Sequence, residues 1–416
     1  MNELLSIFIG GENRIVLPFL LYPVILVIPS ILLAGLVVIP HDKFPSAIKQ
    51  ILSIPLLLAV FMTPFGFTNG NRIIDLVAGV ANYNLFLRFF ELCWVGPLVQ
   101  HRPVYATPES LWIDFWGCLR TFPKPAKEDT KDLKKGEVKQ YTKDKKYYHI
   151  LINLAIHLIE VDIICSWMTT FTSNEFCATW FERPKLFFAI YFFANLVLNG
   201  AFNSVGFSLH LFYCLVFEGG SYSSEQWRTL MIHPVMSGTL DDLWSHRWHQ
   251  LFKSTWLAFP FRPVRILTMR LLNKRVKNAK SIGFIVASIA VFAASAGMHE
   301  YVIAANMGLP IYSRVFMGEQ CIFFLGHGLG VFFEHVVELV VAPKLSKEFK
   351  DSFACYLIKR IWTMAFGYYT FYYIFNGFMA WGFQFDSPLT FSQPAIIKLV
   401  QTFPVLRDFV GTNILI

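Results

Sequence analysis

The chain has 416 residues, of which 55% are hydrophobic, 17% aromatic and only 15% charged, and its formal net charge is +8 at pH 7. A water-soluble domain of this length carries more charge, so the composition excludes an ordinary soluble protein. Apolar runs long enough to cross a bilayer recur along most of the sequence, which predicts an all-α, polytopic membrane helix bundle.

We expect about eight membrane spans. In chain order they are residues 15–39, 51–68, 74–95, 150–171, 186–217, 282–305, 311–341 and 356–381. The first run is a full span without a basic start, so it is predicted to be a retained anchor rather than a cleaved signal. Residues 1–147 are predicted to hold the N-terminal helices and a basic loop, and residues 148–416 to form the membrane core.

Two basic loops predict the orientation of these spans. Residues 124–146 include Lys134, Lys135, Lys139, Lys143 and Lys145, and residues 262–280 include Arg265, Arg270, Lys274, Arg275 and Lys277 without an acidic residue. Basic loops stay preferentially in the cytosol, and with eight spans both loops and residues 344–350 fall on that side. The termini are then expected on the far side.

Two other functions of these features are disfavoured. The basic loops lack the interleaved aromatic residues of a nucleic-acid-binding module, so anionic lipid head groups explain them more simply. The seven cysteines form no Cys-x-x-Cys pair. They are predicted to be small core residues, with neither a zinc site nor a disulfide framework.

Residues 218–280, between the fifth and sixth spans, are too polar to cross the membrane. An amphipathic helix is predicted from Thr239 to Lys253, with Thr239 or Asp241 as its cap. Its polar face would hold Asp242, His246, His249 and Lys253, and its largely apolar face Trp244, Trp248, Leu251 and Thr255. The segment is expected at the cytosolic interface or dipping into the bundle, and an ordinary interfacial helix is the alternative.

The spacing of His246 and His249 is also found in di-iron membrane enzymes. Those enzymes need several histidine boxes, whereas the other histidines here are scattered singly. A metal site is therefore disfavoured.

His299 is the most informative single residue, because it lies within the apolar run of residues 281–301. An ionisable side chain placed in hydrocarbon usually has a function, and a desolvated neutral imidazole can accept a proton near neutral pH. A hydrogen bond to a neighbouring helix is the structural alternative. Counted from Ile282, His299 lies about 26 Å along a straight helix, nearer the far side. Either this span begins later or tilts, or a cytosolic substrate must reach deep.

Three segments in this order resemble the membrane-bound O-acyltransferases, and within them the wax-synthase-like branch. Asp241 to Gln250 looks like the Phe/Leu-Trp-x-x-Arg-Trp-His/Asn motif, and Ser295 to Glu300 looks like the Ser-Gly-x-x-His-Glu motif. Phe323 to Glu334 is similar to an aromatic-rich segment with His-Gly and a later Glu. Over the first two hundred residues the resemblance is one of hydropathy only.

The resemblance implies a helix bundle around an internal acyl-transfer tunnel in a multi-pass protein of the endoplasmic reticulum. Acyl-CoA is expected from the cytosol as a co-substrate and a hydrophobic alcohol from the membrane, with no bound cofactor and no metal. Plant wax synthases usually have Asn where this chain has His249. The Trp-His-Gln form resembles fungal members that acetylate terpenoid and meroterpenoid alcohols in secondary metabolism.

Ester formation requires that a hydroxyl loses its proton while its oxygen attacks a thioester carbonyl. We expect His299 to be the general base and His249 to donate to the developing oxyanion, with support from Trp248 or Arg247. The predicted substrate-binding residues are Trp244, Arg247, Trp248, Ser295, Asn306 and His327. Ser295 and Asn306 share the helix face of His299 and are expected to orient its ring or line the tunnel. The CoA phosphates are expected to contact Arg262, Arg265 and Lys274.

Two nearby acids and one histidine have structural interpretations, an ion pair for Glu300 and packing for His327 and Glu334. Glu300 faces away from His299 and is predicted to pair with a basic residue. His327 and Glu334, seven residues apart, lie on one helix face, where glycines permit close packing. Contact between His327 and substrate is the alternative.

Three alternative functions remain open. A wax synthase would transfer a long fatty acyl chain to a fatty alcohol. A transporter would also carry the intramembrane polar residues Asn82, Asn84, Arg88, Asn195, Asn199 and Asn203, but the two halves of the chain show no convincing repeat. A non-catalytic lipid-binding protein would tolerate loss of the His299 imidazole. The sequence does not specify the oligomeric state.

Overall fold

The structure is a computed structural model that describes residues 7–122, 141–272, 276 and 278–414. The main helices are α1 (Leu21–Val38), α2 (Ser46–Gly66), α3 (Arg72–Gln100), α4 (Pro108–Trp116), α5 (Tyr147–Met168), α6 (Ser173–Glu182), α7 (Pro184–Phe217), α8 (Arg262–Leu272), α9 (Ala279–Met307), α10 (Glu319–Val340), α11 (Phe353–Trp381) and α12 (Gln393–Thr402). Short helical turns occupy Leu240–Asp242, Leu243–Arg247, Lys253–Trp256, Leu257–Phe261, Leu309–Ile311, Tyr312–Phe316 and Lys347–Lys350. Short 3-10 helices occupy Ile7–Ile9, Gly11–Asn13, Pro234–Met236, Ala342–Lys344, Phe383–Asp386, Pro404–Phe409 and Thr412–Ile414. The described residues also form four two-residue strands, namely β1 (Ile15–Val16), β2 (Phe67–Thr68), β3 (Lys145–Lys146) and β4 (Ser221–Tyr222).

The prediction of an all-α polytopic membrane bundle is confirmed. Among the described residues, seven helices are long and apolar enough to cross a membrane, and these are α1, α2, α3, α5, α7, α9 and α10 with its continuation to Lys344. They coincide with the first seven predicted spans. At the eighth, α11 has 29 residues, but it is less apolar because five of them are tyrosines. Length and composition therefore support one span fewer than the sequence predicts.

Two predicted spans begin too early. The first was expected from Ile15, but β1 pairs in parallel with β2, and α1 begins only at Leu21. The seventh was expected from Ile311, but Gly318 has a φ of 93° and separates a short helical turn from α10. A left-handed backbone at this position suits glycine and breaks the helix.

Hydrogen bonds tie the helix ends together on the side that carries the basic loops. Strand β3, just before α5, pairs antiparallel with β4, just after α7. Arg270 of α8 donates to the Val99 carbonyl near the end of α3 (2.9 Å), and Ser254 donates to the Asp114 carbonyl of α4 (3.4 Å). The described parts of the two basic loops thus lie at one end of the bundle.

The opposite end is held by ion pairs. Arg14 and Asp75 form a buried pair with a 3.1 Å contact, and Arg72 pairs with Asp386 at 2.9 Å. The predicted loop residues Lys134, Lys135, Lys139, Lys274, Arg275 and Lys277 lie outside the described residues.

Residues 230–252, which we call the re-entrant segment, fold back against α7 instead of lying on the bundle surface. The Asn203 side-chain oxygen accepts from the backbone N–H of Met231 (3.0 Å), and its NH₂ group donates to the Met231 carbonyl (3.1 Å). Asn199 accepts from the backbone N–H of His233 (3.2 Å). An irregular backbone inside a membrane protein needs such partners, because lipid supplies none. These asparagines therefore have a structural explanation that requires no transported ion.

Candidate active site

The re-entrant segment does not form the single helix predicted from Thr239 to Lys253. The helix begins as expected, with the Thr239 hydroxyl accepting from the Asp242 N–H (2.9 Å). It ends at Arg247, because Trp248 adopts an extended backbone (φ −69°, ψ 154°). The predicted polar face is therefore not formed. His246 is exposed, whereas His249 lies beyond the helix end.

His249 turns into the bundle and stacks on Phe202 of α7, with the ring centroids 4.3 Å apart. Its Nδ1 atom is buried and has no hydrogen-bond partner among the described residues. Burial and the neighbouring His299 lower the pKa of His249 to about 3. The ring is therefore neutral near pH 7, with one N–H to donate and one nitrogen to accept.

Glu334 of α10 anchors the beginning of this helix. Its two carboxylate oxygens accept from the backbone N–H groups of Leu240 (2.8 Å) and Asp241 (3.0 Å), and Trp362 donates to the same carboxylate (2.9 Å). A carboxylate at a helix N-terminus satisfies unpaired N–H groups and opposes the helix dipole. The acid predicted to serve packing thus fixes the segment that carries His249.

His327 is held between Trp244 and Thr370. The Trp244 indole N–H donates to His327 Nδ1 (3.0 Å), and His327 Nε2 lies 3.0 Å from the Thr370 hydroxyl. An indole nitrogen can only donate, so Nδ1 accepts and the proton of the neutral ring is on Nε2. The Thr370 hydroxyl accepts from Nε2 and donates its own hydrogen bond to the Phe366 carbonyl (2.8 Å). Both ring nitrogens of His327 are therefore already engaged within the protein.

His299 faces the interior of the bundle. Its Nδ1 lies 2.8 Å from the carbonyl oxygen of Ser295, and its ring packs against Phe324 with centroids 4.5 Å apart. Because a carbonyl oxygen only accepts, Nδ1 carries the proton and Nε2 is the basic nitrogen of the neutral ring. Ser295 thus orients the ring through its backbone carbonyl.

Glu300, the next residue, pairs with no basic side chain among the described residues, so the expected ion pair is not found there. Its Oε1 accepts from the backbone N–H groups of Gly318 (3.0 Å), Gln320 (3.1 Å) and Cys321 (3.2 Å). Backbone donors at the start of α10 replace the expected cation. This contact sets α9 against α10, and so places His299 beside Phe324.

Two chambers meet where His249 and His299 line both of them. The first has a volume of about 270 Å³ and the second about 190 Å³. Both are lined by Trp244, Trp248, His249, Met298 and His299. These five residues therefore form a junction that a molecule in either chamber can reach.

The chambers extend from this junction in opposite directions. The first runs between α9 and α10, past Ser288 and Phe332, to His335 and Asp241. This is the end at which α9 begins and α10 stops, on the side of the basic loops.

The second chamber runs between α3, α7 and α11, to Leu76 and Phe383 near the opposite end of the bundle. Its walls are mostly aromatic and aliphatic. Its α7 wall consists of Tyr191, Asn195, Leu198 and Phe202. Their spacing is that of one helix face, a signal which sequence reasoning missed.

The depth of His299 is explained by the re-entrant segment. Helix α9 begins at Ala279, three residues before the predicted start at Ile282. His299 therefore lies about 30 Å from the start of the helix. The chain from Trp244 to His249 enters the bundle to reach the same level, and the first chamber connects that level with the side of the basic loops.

Four further predicted site residues, Arg247, Asn306, Arg262 and Arg265, line neither chamber. Arg247 binds Asp242 (2.6 Å) and so holds the turn after the helix. Asn306 accepts from Arg14 (2.7 Å) at the opposite end of the bundle. Neither side chain is directed at the junction, so the structure does not place them against substrate.

Arg262 and Arg265 are exposed on α8. Arg262 follows Phe261, which lines the first chamber. The carbonyl and stem of Arg265 pack near Gly283 of α9. The third predicted phosphate contact, Lys274, lies outside the described residues.

Within the described residues, no group of three or more histidine, cysteine or acidic side chains is arranged to hold a metal ion. Six cysteines there have free thiols, and Cys93, Cys118, Cys214 and Cys355 are buried.

Residues 227–325 match the model of the Membrane bound O-acyl transferase family. This match supports a relationship between the chain and that family. It covers roughly a quarter of the chain and includes all five junction residues. No curated protein and no solved structure matches the chain. The acyltransferase signal thus lies on the part of the sequence that builds the meeting point of the two chambers.

Proposed function

We propose that this protein is an acyl-CoA-dependent O-acyltransferase that esterifies a hydroxyl of a hydrophobic alcohol, with acetyl as the favoured acyl group. The observation that supports it most is the junction itself. Two chambers from opposite sides end at an imidazole whose basic nitrogen is available and a second neutral imidazole. A terpenoid or meroterpenoid alcohol of secondary metabolism suits the apolar second chamber, and this choice rests on the resemblance of the Trp-His-Gln segment.

In the proposed reaction, the alcohol lies in the second chamber and the thioester in the first. His299 Nε2 takes the hydroxyl proton while the alcohol oxygen bonds to the thioester carbonyl carbon. His249 donates a hydrogen bond to the carbonyl oxygen as it becomes negative. The carbon–sulfur bond then breaks, and the proton on His299 passes to the leaving sulfur. The products are an ester and CoA thiol, and no acyl-enzyme is required.

The surrounding side chains have supporting roles in this proposal. Trp244 and Trp248 line both chambers and contact the substrates, and Ser295 orients His299. Arg262, Arg265 and Lys274 bind the CoA phosphates from the side of the basic loops, which faces the cytosol. The endoplasmic reticulum membrane is the proposed location.

A long-chain acyl donor is the second candidate, and one observation favours it. Apart from a few polar residues, the first chamber is lined by apolar side chains such as Phe284, Ile289 and Phe332. Acetyl-CoA and palmitoyl-CoA compared with the same alcohol separate the two candidates. A fatty alcohol preferred over a terpenoid would favour the wax-synthase alternative.

The decisive experiment measures thiol release from acetyl-CoA in microsomes supplied with a terpenoid alcohol. A positioned general base typically contributes a factor of about 10² to 10⁴ in rate, so turnover by His299→Ala should be at least about 10²-fold lower than that of the wild-type protein. His246→Ala is the control, because it also removes an imidazole, three residues before His249, but from a side chain that is 73% exposed. Full turnover by His299→Ala would show that the proposed base is wrong.

A metabolite comparison tests the substrate directly. Deletion of the gene should cause a free hydroxyl compound, one acetyl group lighter than the normal product, to accumulate. Accumulation of a fatty alcohol would instead identify the long-chain alternative, and a transporter or lipid-binding protein would leave the ratio of alcohol to ester unchanged.

A further inference from the structure

Two polar side chains on α7 line the part of the second chamber beyond the junction, where the other polar lining residue, His327, has both ring nitrogens engaged within the protein. Asn195 and Tyr191 both line this chamber. They are four residues apart and therefore lie on successive turns of one helix face. Neither is needed for the proton transfer proposed above.

The orientation of the Asn195 amide follows from its one hydrogen bond. Its NH₂ group donates to the carbonyl oxygen of Tyr191 (2.8 Å). Because a carbonyl only accepts, the reverse orientation would place two oxygens together, so the assignment of Oδ1 and Nδ2 is fixed. Asn195 Oδ1 is left without a donor in the described part of the chain.

The Tyr191 hydroxyl is likewise without a hydrogen-bond partner within the described ranges, although the side chain is only 9% exposed. It lies directly against Gly367 of α11, where an added Cβ would overlap the hydroxyl oxygen. The ring is fixed by an edge contact with Phe371, with centroids 5.2 Å apart. Tyr191 is buried and Asn195 half-buried, and polar groups in apolar surroundings are normally satisfied, so a molecule in the chamber can supply the missing hydrogen-bond partner.

The distance of this pair from the junction follows from helix geometry. Phe202 stacks on His249, and Asn195 lies seven residues earlier on the same face of α7. Seven residues correspond to about 10 Å along the helix axis. A hydroxyl at the junction and a second polar atom at Asn195 are thus separated by about the length of a compact polycyclic skeleton.

We propose that the acceptor carries a second hydroxyl group about 10 Å from the one that is acylated, and that Asn195 and Tyr191 bind it. The second hydroxyl donates to Asn195 Oδ1 and accepts from the Tyr191 hydroxyl, which satisfies all three groups. This inference rests on the proposed acyltransferase function and narrows its substrate to diols. It also predicts a monoester product, because the bound hydroxyl is held away from His299.

The test compares matched alcohols with one and two hydroxyls. The rigid pair is androstanol, which has one hydroxyl, and androstanediol, which has a hydroxyl at each end of the same ring skeleton. The flexible pair is decanol and decanediol, which has a hydroxyl at each end of the same ten-carbon chain. Each is supplied to microsomes with labelled acetyl-CoA, and kcat/KM and the monoester to diester ratio are measured. The wild-type protein should prefer a diol over its mono-alcohol by about tenfold and yield the monoester.

Three variants assign this preference to the α7 pair. Asn195→Leu should reduce kcat/KM for the diol about tenfold more than for the mono-alcohol, and Tyr191→Phe should act in the same direction by removing a single oxygen atom. Asn153→Leu is the matched control, because Asn153 makes the same bond to the carbonyl four residues earlier (2.9 Å) but is exposed on α5. It should leave the preference unchanged.

The outcomes separate this inference from the proposed function. Equal use of diols and mono-alcohols by the wild-type protein, or an unchanged preference in both α7 variants, would overturn the diol site while acyl transfer still stands. If Asn195→Leu fails to fold, Tyr191→Phe decides. No transfer to any of the four alcohols by the wild-type protein would contradict the proposed function itself.

Discussion

The pKa of His249 differs between the folded protein, where its ring is buried, and the unfolded chain. This difference in pKa makes the stability of the protein depend on pH. Its pKa is lowered to about 3 in the folded protein, first by burial and then by His299, whereas an unfolded histidine titrates near about 6.5. Between these values the unfolded chain binds a proton that the folded protein does not. The free energy of unfolding contributed by His249 therefore falls as the pH falls from about 6.5 towards 3.

This difference can be measured with His249→Phe, which keeps the stacking on Phe202 and removes the titration. The thermal midpoint of the detergent-solubilised wild-type protein should decrease more steeply between about pH 7 and pH 4 than that of the variant. Parallel curves would mean that the His249 ring is not held neutral by the bundle.

His327 is best explained as a positioning residue for Trp244, since both of its nitrogens are engaged. His327→Leu leaves the Trp244 indole N–H without an acceptor at the junction, so kcat/KM should fall by about tenfold or more. His327→Gln offers an amide oxygen to Trp244 and should recover part of this loss. If His327 instead transferred a proton to substrate, the Gln variant would be as inactive as the Leu variant.

At the scale of elements, the placement of the re-entrant segment depends on one carboxylate of α10. Glu334→Gln replaces an acceptor by a donor opposite the N–H groups of Leu240 and Asp241, and bonds of this kind contribute about 1–3 kcal/mol each. We expect a lower thermal midpoint together with reduced turnover, because His249 loses its fixed position. Glu338→Gln is the control, since its side chain is 78% exposed one turn further along α10. Equal effects of both substitutions would exclude a specific anchor.

How far the sequence predicts each element depends on the range of the interaction that forms it. Seven spans follow from local hydropathy, and the Thr239 cap follows from local helix chemistry. The end of the helix at Arg247 does not, because His249 leaves the helix to stack on Phe202, forty-seven residues earlier in the chain. Long-range packing overrides the helical period there.

The same distinction applies to the candidate site. The bond between His299 and Ser295 joins residues four apart on one helix, so their shared face is visible in the sequence. Glu300 and Asn306 lie on that helix too, but they accept hydrogen bonds from other elements. Glu300 accepts from the backbone N–H of Gly318, and Asn306 accepts from the side chain of Arg14. These partners come from other elements, and no local pattern specifies them.

For the whole molecule, the two chambers imply that the acyl donor and the acceptor reach His299 from opposite directions. Single substitutions that narrow one chamber should then affect one substrate only. Ser288→Phe narrows the first chamber and should raise KM for acetyl-CoA, whereas Leu198→Phe narrows the second and should raise KM for the alcohol. The larger phenylalanine side chain clashes with the substrate in that chamber, so each KM should rise several-fold.

Two-substrate kinetics in microsomes measure both constants for each variant. Val205→Phe is the control, because Val205 is 50% exposed on the outer face of α7 and lines neither chamber. The arrangement proposed for this bundle requires the two effects to be separate. If both variants raised KM for the same substrate, donor and acceptor would share one route, and the junction of Trp244, Trp248, Met298 and the two histidines would not be the place where they meet.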